Sequence, residues 1–319
     1  MKDILLVLTK TKPHQLERIK QLAVDYDVLT VDEIDENDGE RVKIIYGWNR
    51  SEDVLAFIKT CVNVSWVQAT SAGVDYLPEN IKNNADVFVT NVSGIHAIPI
   101  SETVFAYILG TYRNLFYSAK VQANNVWDVP DPNSFHSLTG KTMLIFGAGN
   151  IGEEIARIAK AFRMHTMGVN TSGKDRAFFD QMYALDKSFS AIGQADFVIN
   201  ALPATELTND LYDKPFFNAM KDSALFINIG RGQAVVEEAL IHALEEDLIA
   251  GAYLDVFKKE PLPSDSPLWQ TKNLLITPHF SGVVEHFRDE IFPIFEENLI
   301  NFIEKKEPTK NIVRSERGY

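Results

Sequence analysis

The feature that most constrains this chain is the heptapeptide FGAGNIG at residues 146–152, which follows an apolar run and precedes a helical pattern. Glycines spaced as G-x-G-x-x-G between a strand and a helix are typical of a turn that holds a dinucleotide phosphate. We expect Gly147 to permit the tight turn, Gly149 to let the backbone approach a pyrophosphate, and Gly152 to allow close packing of helix and strand. The N-terminus of the following helix would face the anion with its N–H groups. A strand–helix turn without a ligand is the alternative explanation of this spacing.

Short apolar runs alternate with helical patterns both before and after the glycine turn. ILLVL (4–8) and KIIYGW (43–48) lie before it, and DFVINAL (196–202) and NLLITP (273–278) lie after it. Such alternation predicts parallel sheets covered by helices. With 319 residues, of which 45% are hydrophobic, the chain is long enough for two domains. The predicted fold class is α/β, with two Rossmann-like, doubly wound parallel-sheet domains.

Two longer helical patterns interrupt this alternation. Residues 98–123 are predicted to form one continuous helix that begins at Pro99 or Ser101, and its many apolar side chains suggest burial on more than one side. Residues 286–304 are predicted to form a helix that is kinked or split at Pro293.

Charge and cysteine content exclude several classes of protein. The formal net charge of −13 disfavours a general nucleic-acid-binding surface, which needs a basic patch. The single cysteine, Cys61, excludes a disulfide framework and fits a reducing compartment. No apolar run approaches the ~18 residues of a membrane span, and the N-terminus has no signal-peptide pattern. The seven histidines form no HExxH or Cys/His ligand pair, so no metal site is predicted. We therefore expect a cytoplasmic protein without membrane or nucleic-acid partners.

The end of the second strand of the dinucleotide-binding unit bears on the choice of cofactor. Asn170 stands where an acidic residue usually bonds the adenosine ribose. Thr171 and Ser172 can donate hydrogen bonds to a phosphate, as can Asn170, and Lys174 and Arg176 can pair with it. Because an acidic residue would repel a 2′-phosphate, its absence favours NADP over NAD. The alternative is that the two cations are solvated and that Asn170 serves NAD through a neutral hydrogen bond.

Polar side chains follow three of the later strands. The stretches that carry them are NIGRG (228–232), LDVFKKEPLP (254–263) and TPHFSG (277–282). Since the carboxyl ends of strands line the ligand crevice of a doubly wound sheet, we expect Arg231, Glu260 and His279 to meet there. A guanidinium offers a planar set of donors for a carboxylate or oxo oxygen, and an imidazole transfers protons near neutral pH. Glu260 would orient the ring of His279 and stabilise its positive charge. Taken singly, each of the three also fits a structural role as a cap or a surface turn.

These stretches, with GAGNIG and in this order and spacing, resemble the D-isomer-specific 2-hydroxyacid dehydrogenases. TSAGVDYL (70–77), HAIPISETV (96–104) and LPATELTNDL (202–211) are similar to the substrate loop, the interdomain helix and the LPxTxxTxxL segment of that family. The resemblance implies a dinucleotide-binding domain, residues 98–286, inserted into a discontinuous substrate domain. Residues 1–97 and 287–319 would form that substrate domain, with the substrate in a cleft between the two.

The resemblance also implies the reaction. NAD(P)H would reduce a small 2-oxo acid to the D-2-hydroxy acid, with His279 as proton donor. The substrate carboxylate would bind Arg231 and the backbone N–H groups of Ala72, Gly73 and Val74. Trp48, in the sequence YGWNR, resembles the glyoxylate/hydroxypyruvate reductase branch and would favour a small substrate.

The cofactor contacts implied by the resemblance are spread over several loops. They are Gly147, Gly149, Asn150, Ile151, Gly152, Asn170, Thr171, Ser172, Lys174, Leu202, Pro203, Thr208, Ile229 and Asp255. Asp255 would bond the nicotinamide carboxamide, although a strand-terminal cap is its alternative role.

Two other functions remain open, as does the oligomeric state. One alternative is an NAD-dependent D-lactate-type or broad-specificity 2-oxoacid reductase, and the other is a nucleotide-sensing corepressor without catalysis. The family generally dimerises through the region of the long helix, so Tyr107, Phe116, Tyr117 and Trp127 predict a homodimer. The alternative is that these aromatic side chains lie in the interior of the subunit.

Overall fold

The computed structural model describes residues 1–49, 51–71, 73–74, 76–82 and 84–313. Its strands are β1 (Asp3–Val7), β2 (Tyr26–Thr30), β3 (Val42–Tyr46), β4 (Trp66–Gln68), β5 (Phe88–Thr90), β6 (Thr142–Phe146), β7 (His165–Asn170), β8 (Gln181–Ala184), β9 (Phe197–Asn200), β10 (Leu225–Asn228), β11 (Gly251–Leu254) and β12 (Leu274–Ile276). Its helices are α1 (Pro13–Leu22), α2 (Glu52–Ile58), α3 (Glu79–Lys82), α4 (Ala97–Tyr112), α5 (Leu115–Gln122), α6 (Asn150–Ala161), α7 (Phe189–Ile192), α8 (Lys214–Ala219), α9 (Glu237–Glu245) and α10 (Phe287–Lys305).

The chain forms two compact units. The first comprises Met1–Ile95 joined by the chain from Val284 onward, and the second comprises His96–Val283. In the first unit a parallel sheet has the strand order β2-β1-β3-β4-β5. Its strands are apolar on both faces because helices cover both faces of the sheet, as the sequence ILLVL indicates.

The helix α10 covers one face of this first sheet. Its Phe295 is fully buried and stacks on Tyr46 of β3, with ring centroids 3.7 Å apart. The helix runs through Pro293 without interruption, so of the two predicted effects of this proline the split is wrong and the kink stays a prediction. Beyond α10, an antiparallel bridge between Ile312 and Thr90 brings the chain back beside β5.

The second unit contains a larger parallel sheet with the strand order β12-β11-β10-β9-β6-β7-β8. The order reverses between β6 and β9, and buried apolar clusters cover both faces of the sheet. This arrangement is a doubly wound sheet with its switch point beside the strand that precedes the glycine turn. The prediction of two parallel-sheet α/β domains is therefore confirmed.

The long helix predicted over residues 98–123 is wrong as a single element. It begins at Ala97 and stops at Tyr112, and Asn114 adopts a left-handed backbone with φ of 56° before α5 begins. Asparagine is one of the few residues that enter this region readily, and it ends a helix there. None of the side chains of α5 is buried, and Leu115 is 58% exposed.

The edge strand β8 was not predicted, because its four residues QMYA form only a short run and none of its side chains is fully buried. No helix within the described residues has both the length and the apolar character of a membrane span.

Candidate functional site

The glycine turn follows β6 at the carboxyl edge of the second sheet. Gly147 has φ of +101°, and a Cβ on it would lie 2.7 Å from the backbone of Ala201, so only glycine fits. A Cβ on Gly152 would lie 2.2 Å from the carbonyl oxygen of Gly147, which explains how α6 packs against the turn. A Cβ on Gly149 would have no neighbour within 4 Å. The space beside Gly149 is thus open and the first turn of α6, at Asn150, is exposed, as the predicted pyrophosphate contact requires.

The loop after β7 is shaped by the side chain of Asn170. Its Oδ1 accepts hydrogen bonds from the backbone N–H groups of Ser172 (3.0 Å) and Gly173 (2.6 Å), and its Nδ2 donates to the carbonyl of Lys174 (2.8 Å). The amide expected to donate to a phosphate is thus engaged within the loop. Thr171, Ser172 and Lys174 are exposed beside it.

The two cations of this loop differ in their surroundings. Arg176 Nη2 lies 3.0 Å from Oε2 of Glu153, in the first turn of α6. Lys174 forms no ion pair with any of the described residues. Lys174 is consequently the cation of this loop whose charge is not offset by a carboxylate partner.

The loop after β9 carries three of the predicted cofactor contacts. Leu202 is buried, and Thr208 is 4% exposed. Thr208 Oγ1 donates to the carbonyl of Pro203 (2.7 Å) and accepts from the N–H of Thr205 (2.8 Å). Thr208 therefore holds the shape of the loop around Leu202 and Pro203. Another predicted cofactor contact, Ile229, is buried directly after β10.

Two asparagines that sequence reasoning missed connect the loops after β9 and β10. Asn200 and Asn228 are fully buried, and Nδ2 of Asn200 donates to Oδ1 of Asn228 at 2.8 Å. Oδ1 of Asn200 also accepts from the hydroxyl of Tyr212 (3.0 Å). Asn228 accepts from the N–H of Gly230 (3.1 Å) and donates to the carbonyl of Arg231 (3.1 Å). The asparagine pair thus sets the backbone that carries Arg231. The signal in the sequence was that both strands end in asparagine, in VIN (198–200) and in FIN (226–228).

Arg231, Glu260 and His279 follow three strands that are neighbours in the sheet, namely β10, β11 and β12. Because these strands are parallel, their carboxyl ends share one edge with the glycine turn. Arg231 is half-buried and its Nη1 donates to the carbonyl of Gly230 at 2.9 Å.

The structure pairs Glu260 with His279. Nδ1 of His279 lies 2.7 Å from Oε2 of Glu260, and the other carboxylate oxygen accepts from the N–H of Phe257 at 3.0 Å. A carboxylate accepts only, so Nδ1 of His279 carries the hydrogen of this bond. Nε2 of the same ring has no hydrogen-bond partner among the described residues, and the side chain is about half exposed. His279 is therefore held through Nδ1 and leaves Nε2 available to a ligand at this edge of the sheet.

Asp255 anchors the loop that carries His279. It is 1% exposed, and its carboxylate accepts from the hydroxyl of Thr277 (2.7 Å) and the N–H of Phe280 (3.0 Å). It also accepts from the N–H (3.0 Å) and the hydroxyl (2.5 Å) of Ser281. These four donors flank His279, which has a left-handed backbone with φ of 53°. The contact of Asp255 with a nicotinamide carboxamide stays a prediction, because the donors that the structure places on it come from this loop.

The predicted substrate-binding residues Trp48, Gly73 and Val74 belong to the first unit. Trp48 and Gly73 are half-buried, and Val74 is 1% exposed. Ser71 Oγ donates to the carbonyl of Gly73 at 2.8 Å, which shapes the backbone of this loop. Ala72 lies outside the described residues.

Comparisons with known proteins agree with these features. Residues 105–281 match the family model described as D-isomer specific 2-hydroxyacid dehydrogenase, NAD binding domain. The chain is 31% identical over 243 residues to the human protein named glyoxylate reductase/hydroxypyruvate reductase. The aligned region covers 75% of this chain and 74% of that protein.

Two solved structures of similar proteins match nearly the whole chain. The first is a D-isomer specific 2-hydroxyacid dehydrogenase family protein from Aeromonas salmonicida, with a TM-score of 0.84, 34% identity and coverage of 99% of this chain and 100% of that one. The second is a D-isomer specific 2-hydroxyacid dehydrogenase from Xanthobacter autotrophicus in complex with NADPH and MES. Its TM-score is 0.81 and its identity 26%, with coverage of 100% of both chains.

Proposed function

This chain belongs to the D-isomer specific 2-hydroxyacid dehydrogenase family, oxidoreductases that act on CH–OH groups, and from that premise we propose that it reduces glyoxylate, hydroxypyruvate or a similarly small 2-oxo acid with NADPH. The observation that carries the proposal is the hydrogen-bonded pair of Glu260 and His279. It lies at the same sheet edge as a glycine turn that has open space for a pyrophosphate.

His279 acts as the proton donor in this proposal. Glu260 holds Nδ1, so the proton that leaves for the substrate oxygen comes from Nε2, and the ring becomes neutral with its remaining hydrogen on Nδ1. The bond to Glu260 is kept in both protonation states, which fixes the ring orientation throughout the transfer. The reduced nicotinamide, when bound, supplies the hydride.

Arg231 binds and stabilises negative charge on the substrate. Its planar guanidinium donates to a carboxylate or to the oxo oxygen as charge develops there. The backbone N–H groups of Ala72, Gly73 and Val74 are the further donors that we assign to the substrate carboxylate. In this assignment residues 1–97 and 287–319 form the substrate domain, and residues 98–286 form the cofactor domain.

Aromatic side chains support a small substrate. The rings of Trp48 and Tyr76 lie 6.2 Å apart at an angle of 51° within the first unit. Both rings pack in the same cluster as Val74, and in this proposal they restrict the length of the substrate side chain. This is the reason to prefer glyoxylate or hydroxypyruvate over a bulky 2-oxo acid.

For the cofactor, NADPH is supported by the lack of an acidic residue at position 170 and by Lys174, which forms no ion pair within the described ranges. A relative of similar fold was solved with NADPH. The ion pair of Arg176 with Glu153 and the engaged amide of Asn170 favour the second candidate, an NAD-dependent 2-oxoacid reductase, because both reduce the number of groups available to a 2′-phosphate.

A homodimer is the oligomeric state that we propose. Large apolar side chains of α5 and of the chain that follows it are exposed: Leu115 (58%), Phe116 (43%), Val126 (51%), Trp127 (97%) and Val129 (72%). A second copy covering this surface would bury them.

The proposed function is tested by steady-state kinetics of the purified protein. Glyoxylate, hydroxypyruvate, pyruvate and a branched 2-oxo acid are each offered with NADPH and with NADH, and oxidation of the nicotinamide is followed by absorbance. We expect the highest kcat/KM for glyoxylate or hydroxypyruvate with NADPH. A preference for NADH, or for the branched acid, supports the second candidate instead. Binding of NADPH without turnover of any of these acids refutes the proposed reductase activity.

A further inference from the structure

The loop of residues 277–282 holds His279 in a left-handed backbone conformation, with φ of 53°. This conformation is uncommon for residues other than glycine, although histidine adopts it more often than most, and hydrogen bonds on either side of His279 fix it here. Asp255 supplies part of that constraint, through Thr277 before His279 and through Phe280 and Ser281 after it. Any further group that fixes this loop also fixes the imidazole.

The helix α4 provides such a group. Tyr107 on this helix is 6% exposed, and its hydroxyl lies 2.6 Å from Oγ1 of Thr277. Thr277 has one hydroxyl hydrogen, and it donates that hydrogen to the carboxylate of Asp255 at 2.7 Å. Tyr107 must therefore be the donor in its bond to Thr277. The result is a directed chain of hydrogen bonds from Tyr107 through Thr277 to Asp255.

Burial keeps Tyr107 suited to this role. It raises the pKa of the hydroxyl above the ordinary tyrosine value, so the group stays protonated and remains a donor. The ring stacks on Tyr253 of β11, with centroids 5.0 Å apart and planes within 9° of parallel. A second contact joins the start of α4 to the same loop, since Nδ1 of His96 lies 2.8 Å from the carbonyl oxygen of Gly282.

We propose that Tyr107 is a positioning residue for proton transfer by His279, acting through Thr277 and Asp255. The proposal rests on the function proposed above for His279. No hydrogen bond joins Tyr107 to His279 or Glu260 in the described part of the chain, so its effect passes through the loop backbone. Tyr107 is not expected to contact substrate or cofactor.

The test compares Tyr107→Phe with Tyr253→Phe. The first variant removes the hydroxyl that donates a hydrogen bond to Thr277, and it keeps the stacked ring. The second removes a neighbouring hydroxyl that forms no hydrogen bond with the described residues. We expect Tyr107→Phe to lower kcat roughly three- to tenfold, the factor that one lost hydrogen bond is worth, with KM for the acid and for NADPH little changed. Tyr253→Phe should leave kcat close to that of the natural protein. Equal kcat values for the two variants would overturn the proposal.

A double-mutant cycle separates positioning from a general structural effect. Thr277→Val breaks the chain of hydrogen bonds, so adding Tyr107→Phe to it should lower kcat no further. Thr277→Ser keeps the hydroxyl and should retain most of the activity. If the losses of Tyr107→Phe and Thr277→Val are simply additive, Tyr107 does not act through Thr277 and the proposal fails.

A measurement that does not depend on turnover distinguishes this proposal from the proposed function. The imidazole signals of His279 are assigned in the NMR spectrum of the intact protein with a His279→Gln variant. The chemical shifts of these signals should change in Tyr107→Phe and stay the same in Tyr253→Phe. Natural protein that is inactive but shows this difference refutes the reductase function and keeps the positioning role. Active protein whose His279 signals are the same in both variants refutes the positioning role alone.

Discussion

Replacing Glu260 by glutamine tests the acid–base pair most directly. The carboxylate of Glu260 accepts two hydrogen bonds, one on each oxygen, from Nδ1 of His279 and from the N–H of Phe257. A glutamine amide has a single acceptor oxygen, and its NH2 group must face the other donor. Glu260→Gln therefore loses one of these two bonds and leaves either the imidazole or the loop backbone without its partner.

The size of the effect follows from this geometry. A hydrogen bond to a charged group contributes about 1.5–3 kcal/mol, and the lower end applies here because Glu260 and His279 are both partly exposed. A loss of roughly 1–2 kcal/mol from transition-state stabilisation lowers kcat by about 5- to 30-fold. The affinity for NADPH should not change, since Glu260 is not among the predicted cofactor contacts.

The assay measures kcat with saturating 2-oxo acid and the dissociation constant of NADPH by quenching of tryptophan fluorescence. Glu237→Gln is the matched control, because Glu237 also accepts from a backbone N–H of the same loop, that of Lys258 at 3.3 Å, without contacting His279. The reasoning is refuted if Glu260→Gln and Glu237→Gln have the same kcat, or if Glu260→Gln weakens NADPH binding as much as it lowers kcat.

Four further predictions concern other parts of the molecule. His279→Ala should lower kcat by about 10²- to 10⁴-fold, the usual contribution of a general acid, while NADPH binding stays nearly intact; a parallel loss of binding in the titration would assign His279 a structural role. Lys174→Ala should weaken NADPH binding roughly 5-fold or more and leave NADH binding nearly unchanged, since a lost ion pair to the 2′-phosphate affects only the former; similar responses of the two dissociation constants would exclude contact with that phosphate. Trp127→Glu should shift a dimer toward monomer in sedimentation velocity, whereas Val62→Glu, which changes an exposed residue of the first unit, should not; an unaltered dimer would place the interface elsewhere. Burial lowers the pKa of His96 below the ordinary value, so His96 binds a proton more readily in the unfolded chain than in the folded protein. The stability that His96 contributes is complete above the unfolded-state pKa and is lost as the pH falls through the folded-state value. Denaturant unfolding over this pH range should show that the free energy of unfolding declines less in His96→Gln than in the natural protein as the pH falls. Equal declines in the two proteins would contradict the prediction.

Local sequence patterns predicted the parts of the site that depend on neighbours in the chain. The glycines of residues 147–152 indicated a turn and a helix start because each glycine meets a backbone atom or open space within the same short segment. The helix begins at Asn150, between the second and third glycines of the turn. Arg231, Glu260 and His279 were recognised because each follows an apolar run in an alternating α/β pattern.

The sequence did not predict contacts between segments that are distant in the chain. Asn200 and Asn228 look like ordinary strand ends until the pairing of β9 with β10 brings their amides to 2.8 Å. Asp255 was assigned to the cofactor, and the structure shows that its carboxylate is filled by donors more than twenty residues away in the chain. The break at Asn114 was likewise hidden, because the apolar content of residues 98–123 does not reveal where the backbone leaves the helix.

By itself the sequence determined that this protein is built from parallel α/β layers with a phosphate-type turn after β6, since apolar periodicity and glycine spacing are properties of contiguous residues. Only the tertiary structure decided that Glu260 bonds Nδ1 of His279 and that Tyr107 and Asp255 hold the loop around it. These bonds depend on which strands are neighbours in the sheet and on which helix covers them. The strand order and the position of the covering helices follow from burial of the whole apolar surface, so they cannot be read from any short stretch of the chain.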